Sequence, residues 1–177
     1  MRIYSMAECP PGSPEWWTAR RGIVTASVAD MILTPKTMKP SASQTKLIAS
    51  LCADIVNLDP RWFSERMTKP PNKAIADGIA REAESRKWFA CAHGVDVHEV
   101  GFILGDDGVT GCSPDGMIGT DGLLELKNPQ LGTMSEYILD GGLEADYRCQ
   151  VHFQMIVTGR KWVELVAYAP PLQPLVV

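Results

Sequence analysis

The sequence has little of what would staple a fold or anchor it in a membrane. Its 177 residues include five cysteines, Cys9, Cys52, Cys91, Cys112 and Cys149, an odd number with no two closer than 21 positions. That pattern gives no sign of a disulfide framework or a CxxC metal site, and the thiols read as small buried hydrophobes. No apolar run approaches the length needed to span a bilayer, and the opening MRIYSMAECPPGSP lacks the basic-then-apolar pattern of a signal peptide. The expectation is a cytoplasmic protein with no membrane partner. His93, His98 and His152 form no pair at helical spacing, so a histidine metal site or a Ser/His/Asp or Cys/His triad has no support beyond residue type. A phosphate-cradling glycine loop and internal repeats are also missing, and only the closing PPLQPLVV is proline-rich.

What is there is an ordinary globular composition, 45% hydrophobic and 21% charged, enough to bury a core in one domain spanning 1–177. The net charge of −4 is unevenly spread. Residues 1–75 carry 10 Lys+Arg against 6 Asp+Glu, and residues 76–177 carry 7 against 15, so the two parts stand at +4 and −8. A basic part can meet phosphate while an acidic part holds metal.

The stretch GCSPDGMIGTDGLLELKNP, residues 111–129, concentrates the chemistry. Strand character over Val109–Pro114, turn chemistry at Gly116, Gly119, Asp121 and Gly122, and a second strand over Leu123–Lys127 predict a hairpin. Alternation places Glu125 and Lys127 on one face of the second strand and Leu124 and Leu126 on the other, in a core, with Asp115 at the hairpin mouth. Two converging carboxylates repel unless a hard cation lies between them, and oxygen ligation suits Mg²⁺ or Mn²⁺. Lys127 would hold or deprotonate an attacking water, or neutralise charge on a phosphoryl oxygen. A surface hairpin with solvated charges fits the same residues, and the hairpin alone leaves both open.

Along the chain, Ser13-Pro14-Glu15 starts a helix through Trp16, Trp17 and Arg20 to Gly22. In IVTASVADMIL, Thr25 or Ser27 caps a second short helix whose amides face back toward Arg20, either an anion site or an ordinary helix pair. From Ser43, the residues Leu47, Ile48, Leu51, Cys52, Ile55 and Val56 recur at helical spacing and predict a helix with that face on the core. Residues 59–71 read as irregular, with Arg61, Arg66 and Lys69 among Trp62 and Phe63, suited to a DNA strand or to an ordinary loop.

The longest helix is expected from Asn72 to a stop at Gly94, with Ile75, Ile79, Ala83 and Ala90 as its apolar stripe. Glu82 shares that stripe, and a carboxylate facing a core is either paired, here with Arg86 one turn on, or bound to metal. Strands are expected at 95–104, 109–114 and 123–127, then a helix over 131–139 stopped by Gly141-Gly142. A helix capped by Asp146 and stopped by Gly159 puts Gln150 and Gln154 on one face, and a strand over 162–168 follows.

A helix, three strands, a helix and a strand, with acids on the first helix and on the second and third strands, resembles the restriction-endonuclease-like PD-(D/E)XK nucleases. Pro114-Asp115 stands for the PD and Glu125-Leu126-Lys127 for the ExK. More narrowly, PEWWTARRGIVTAS, ADGIAREAESRKWF, GCSPDG through LLELKNP, and the weaker YRCQVHFQM are similar to the YqaJ-type viral recombinases, the phage lambda exonuclease family. These patches span nearly all of residues 13–168.

The resemblance implies an α/β (α+β) fold. Its PD-(D/E)XK core would cover 72–169, a mixed central sheet flanked by helices, after an N-terminal helical, DNA-end-binding part at 1–71 and before a tail at 170–177. It implies a Mg-dependent 5′→3′ exonuclease that degrades one strand of double-stranded DNA from its ends, leaving 3′ single-stranded tails for phage-type recombination. Glu82, Asp115, Glu125 and the Leu126 carbonyl then bind two Mg²⁺ ions, for which Mn²⁺ could substitute. The three acids with Lys127 form the catalytic set, and Arg20, Ser27 and Gln150 grip the 5′-phosphate. Double-stranded DNA ends and a single-strand annealing protein are the implied partners, and the host cytoplasm is the implied location for a phage-encoded chain. A homo-oligomer is a further expectation, although lambda-type relatives continue past the final strand with residues that could serve a trimeric ring, whereas this chain stops at Val177. The rival expectations are a PD-(D/E)XK endonuclease for another DNA structure and a catalytically degenerate DNA-end-binding protein. An iron–sulfur nuclease would need clustered cysteines.

Overall fold

The computed structural model of the chain describes residues 1–57, 59 and 73–177. Ser13 begins the first helix for the reason its side chain suggests: the hydroxyl accepts the Trp16 N–H at 3.1 Å and Pro14 takes the first helical position, giving α1, Pro14–Ala19. Arg20 caps its end. Then come a 3₁₀ helix, Ala26–Met31, and the helices α2, Gln44–Val56, α3, Lys73–His93, α4, Leu131–Asp140, and α5, Glu144–Thr158. Gly141 (φ 82°) and Gly159 (φ 67°) end α4 and α5 in the left-handed conformation, the stops their residue type predicts.

The strands are β1, Arg2–Tyr4; β2, Val24–Thr25; β3, Val97–His98; β4, Phe102–Leu104; β5, Thr110–Cys112; β6, Gly116–Ile118; β7, Gly122–Lys127; β8, Trp162–Ala167; and β9, Leu175–Val176. They form two mixed sheets, one in the order β1-β4-β5-β2 and the other β3-β6-β7-β8-β9. β7 lies at the centre of the second sheet and is buried at every position but Lys127. Its Leu124 and Leu126 pack with Val166, Ile118 and Phe89 of α3, as alternation predicts. Phe89 is 2% exposed, a burial worth roughly 1.5–3 kcal/mol.

The other face is covered by α4 and α5, through Met134, Leu143, Tyr137, Tyr147 and Val151 against Leu165 and Ala167. β7 and β8 run parallel with Glu125 beside Leu165 and Lys127 beside Ala167, so Glu125 and Lys127 point to the α5 side.

The structure corrects several local expectations. β7 pairs with β6, Gly116 opposite Leu124, whereas β5 joins the other sheet. Gly116 is therefore a strand residue and not a turn: a Cβ there would collide with the Val97 side chain of the neighbouring β3. The span 95–104 breaks into β3 and β4 in different sheets, and β1 and β2 are too short to show a period in sequence.

α2 has nearly the expected bounds but buries Leu47 and Asp54, leaving Ile48, Cys52, Ile55 and Val56 exposed, because its apolar stripe is wider than the face that packs. α3 turns Ser85 and Phe89 inward and leaves Ile79 and Ala83 exposed. α5 starts at Glu144 with Leu143 as cap, so Asp146 lies within its first turn.

The closing residues are no bare tail, since β9 pairs with β8 and Val177 exchanges hydrogen bonds of 2.8 and 3.0 Å with Leu165. Arg61, Trp62, Phe63, Arg66, Lys69 and the expected helix start Asn72 lie outside the described residues, as does the side chain of Ile75. Among the described residues no helix is long and apolar enough to cross a membrane.

Candidate active site

The β6–β7 hairpin delivers Asp115 immediately before β6 and Glu125 and Lys127 on β7. Asp115 Oδ2 accepts the Leu126 N–H at 2.6 Å, which fixes the carboxyl against the backbone of the ExK strand. Burial first, and then the Glu125 charge, push this carboxyl well above the usual carboxylate range, against the pull of that hydrogen bond. Glu82 comes from α3. Its carboxyl is also raised, chiefly by burial and further by Glu125, while Arg86 pulls it down. The three acids thus lie in one another's field. Among the described residues, no three His, Cys, Asp or Glu side chains converge closely enough in this arrangement to hold an ion.

Arg86 does not make the i+4 pair with Glu82 that spacing suggests. Its guanidinium bridges Glu99 at 2.8 Å, and its Nε donates to the Asp115 carbonyl at 2.9 Å. Arg86 therefore joins α3 to the hairpin and leaves Glu82 to the acid cluster. One turn before Glu82, the Asn128 amide donates to the Gly78 carbonyl at 3.2 Å, so the helix is held on both sides of the acid.

Glu125 is 4% exposed and both of its oxygens are held. Oε1 lies 2.7 Å from Lys127 Nζ and 2.5 Å from Gln150 Nε2, and Oε2 accepts from Gln154 Nε2 at 2.6 Å. Lys127 Nζ also donates to Gln150 Oε1 at 3.1 Å and stands 4.5 Å from the centre of the Tyr147 ring. The spacing of Gln150 and Gln154 was visible in sequence, but nothing in the residue types marked Gln154 as a partner of Glu125. An oxygen-rich, acid-dense set with a lysine as partial compensation suits a hard divalent cation, which would relieve the raised carboxyls.

The basic residues behave differently. Arg20 Nη2 donates to Thr25 Oγ1 and Ser27 Oγ, both at 3.2 Å, and the guanidinium lies 4.0 Å over the Trp16 ring and 5.9 Å from that of Phe102. Burial lowers its pKa to about 10, so it stays charged at neutral pH. Among the described residues it makes no ion pair.

The anticipated second helix is the six-residue 3₁₀ helix, and the Thr25 and Ser27 hydroxyls turn to Arg20 and make no side-chain cap. A cavity of about 230 Å³ opens beside them, lined also by Trp17, Leu47 and Ser50. Trp16 Nε1 donates at 3.0 Å to Ser113 Oγ, tying this corner to the segment that leads into Asp115. Arg21 lines the same cavity but donates to the carbonyls of Asp54, Ile55 and Asn57 at 2.7, 3.0 and 2.5 Å, so capping α2.

Gln150 reaches Glu125 and Lys127, and makes no hydrogen bond to Arg20 or Ser27. The link between the two sites is β5, packed on α5, whose Cys112 is fully buried and feels both the Glu125 and the Arg20 charges. Burial pushes that thiol up to about 12, which makes it inert packing.

A sequence model of the YqaJ-like viral recombinase domain matches residues 15–161. The chain belongs to that family. Two solved structures are similar to this YqaJ-like chain. One is an alkaline exonuclease, LHK-Exo, from Laribacter hongkongensis, 32% identical with a TM-score of 0.76 over 93% of this chain and 80% of that one. The other is LHK-Exo in complex with dAMP, 30% identical with the same TM-score and coverage. No curated protein matches the chain. The fold is thus the expected PD-(D/E)XK type, and this YqaJ-like chain is a nuclease.

Proposed function

We propose that this nuclease is a Mg-dependent 5′→3′ exonuclease that enters double-stranded DNA at its ends and leaves 3′ single strands for phage-type recombination and a single-strand annealing partner. The observation that carries the reading is a desolvated arginine set among hydroxyls, joined through β5 to an acid-rich site compensated by one lysine. Residues 1–177 would act as one nuclease domain, with end binding in 1–71 and chemistry in 72–169.

In this reading Glu82, Asp115, Glu125 and the Leu126 carbonyl hold Mg²⁺, or Mn²⁺ in its place. The bound ion would supply an activated water and charge stabilisation at the leaving oxygen. The Lys127 ammonium stands at the Glu125 carboxylate and Gln150, a place from which it can turn to orient a water or meet a phosphoryl oxygen. Arg20 and Ser27 offer a forked donor and a hydroxyl, which suit a terminal phosphate dianion better than an internal diester. Gln150, now on Glu125, is the third phosphate contact. That a similar exonuclease binds dAMP supports a site for a nucleoside monophosphate.

The test compares, at one ionic strength with Mg²⁺, linear duplex bearing 5′-phosphate, the same duplex bearing 5′-hydroxyl, and covalently closed circles. Charge-assisted bonds of this kind contribute roughly 1.5–3 kcal/mol, so the phosphorylated end should be degraded on the order of tenfold to a hundredfold faster. Raising salt should slow both linear substrates through screening of backbone contacts. Circles cut as fast as phosphorylated ends would replace the exonuclease with an endonuclease.

A further inference from the structure

Gln154 follows Gln150 by one turn of α5 and is 1% exposed, against the half-buried Gln150 and Lys127. Its Nε2 donates to Glu125 Oε2 at 2.6 Å, while its Oε1, also buried, meets no hydrogen-bond partner among the described residues. The opposite amide orientation would set a carbonyl oxygen against a carboxylate oxygen, so the charge of Glu125 dictates which end faces it. A methionine or leucine would fill this space without leaving a buried carbonyl unsatisfied. A glutamine here is therefore explained by the end that meets Glu125 and not by the packing.

The other contacts of Glu125 differ in kind. Lys127 and Gln150 both bind Oε1, and each is suited to a second partner on the substrate. Among the described residues Gln154 alone donates to Oε2, and its burial denies it any other task. We infer that Gln154 is a positioning residue for Glu125: it fixes the carboxylate through Oε2, so that Oε1 is the oxygen able to exchange Lys127 and Gln150 for a divalent cation. The inference rests on Glu125 being a metal ligand.

Donors that orient metal-binding carboxylates typically change metal affinity or activity by about tenfold to a hundredfold when removed. The experiment titrates Mg²⁺ calorimetrically into the DNA-free protein, and measures kcat and KM on 5′-phosphorylated duplex at saturating Mg²⁺. Gln154→Met should melt, without metal, at the wild-type temperature or above it, bind Mg²⁺ about tenfold or more weakly, and lose kcat with little change in KM. Gln154→His, which keeps an N–H donor, should recover most of the loss.

The inference is overturned if the folded Met variant keeps Mg²⁺ affinity and kcat within about twofold of wild type, or if Met and His variants alike lose melting temperature, affinity and kcat together, the pattern of a packing residue. Glu125→Gln separates the two levels. If it too leaves Mg²⁺ affinity unchanged, the assignment of Glu125 fails; if it lowers affinity and the Gln154 variants do not, only the role of Gln154 fails.

Discussion

Around the β6–β7 hairpin, acids gather with a lysine among them; around the corner between α1 and β2, an arginine gathers hydroxyls and aromatic faces and, among the described residues, makes no ion pair. Burial perturbs both in the direction that disfavours charge, raising Asp115 and Glu82 and lowering Arg20 to about 10. Each site is thus a desolvated charge of one sign that lacks its full complement, and each favours a ligand of the other sign. They differ in what holds them. Among the described residues, Glu125 keeps its place through hydrogen bonds to Lys127, Gln150 and Gln154 alone, whereas Arg20 combines its hydrogen bonds to Thr25 and Ser27 with stacking on Trp16.

The strongest way to break the comparison is to remove the cation inside the acid site. Lys127→Ala should slow single-turnover cleavage by on the order of 10²- to 10⁴-fold while Mg²⁺ and DNA binding are retained. Near-normal turnover would take Lys127 out of the chemistry. Next is the arginine pair. Arg20→Ala should erase most of the tenfold-to-hundredfold preference, by order of magnitude, for 5′-phosphate and leave the 5′-hydroxyl substrate nearly untouched. Arg21→Ala should do the reverse, costing roughly 1.5–3 kcal/mol in denaturant unfolding through the lost cap on α2, with the end preference intact. If both variants lose the preference, the corner acts as one charge patch and the division between the arginines is wrong.

Smaller effects sharpen the acid side. Glu82→Ala should weaken Mg²⁺ binding yet leave metal-free stability unchanged or raised, because it relieves repulsion with Glu125 and Asp115. A large loss of melting temperature would instead assign Glu82 a structural ion pair.

The pH dependence follows from the sign of the shifts. Asp115 and Glu82 titrate higher in the folded chain than in the unfolded one, where they sit near about 3.9 and 4.3, so the folded chain holds more protons in the window above those values. Their stabilising contribution is full below the unfolded values and is lost as pH rises through the raised ones. Thermal melts of the metal-free protein should therefore fall with pH across that window, and Mg²⁺ should flatten the slope. A metal-free profile that rises there would mean that the acids are already compensated.

The features legible in the sequence are those set by a few adjacent residues. Alternation along Leu123–Lys127 named the faces of β7, Ser13-Pro14 named a helix start, and Gly141 and Gly159 named two stops. Features decided across the chain were not legible. Three-residue strands carry no measurable period, so nothing local distinguished β5 from β6 as the partner of β7, nor showed that Gly116 lies against Val97 from a strand remote in sequence. Arg86 had a neighbour of the right sign one turn away, but its bond to the Asp115 carbonyl comes from residues 29 apart. Gln154 met Glu125 only because α5 returns over the sheet.

That return also bears on how the protein comes to be folded. β7 and β8 are parallel and in register over six residues, and the 34 residues between them, 128–161, include both α4 and α5. A contact of this span forms late compared with a hairpin, since closing a long segment costs chain entropy before any pairing compensates it. The hairpin bearing Asp115, Glu125 and Lys127 can form early, while the helix that carries Gln150 and Gln154 has its full docking surface only once Ala26, Ile103 and Cys112 on one side and Leu165 and Ala167 on the other are in place. The carboxylate at the centre of the site is thus among the last groups to be held, and its environment reports whether the whole crossover has closed.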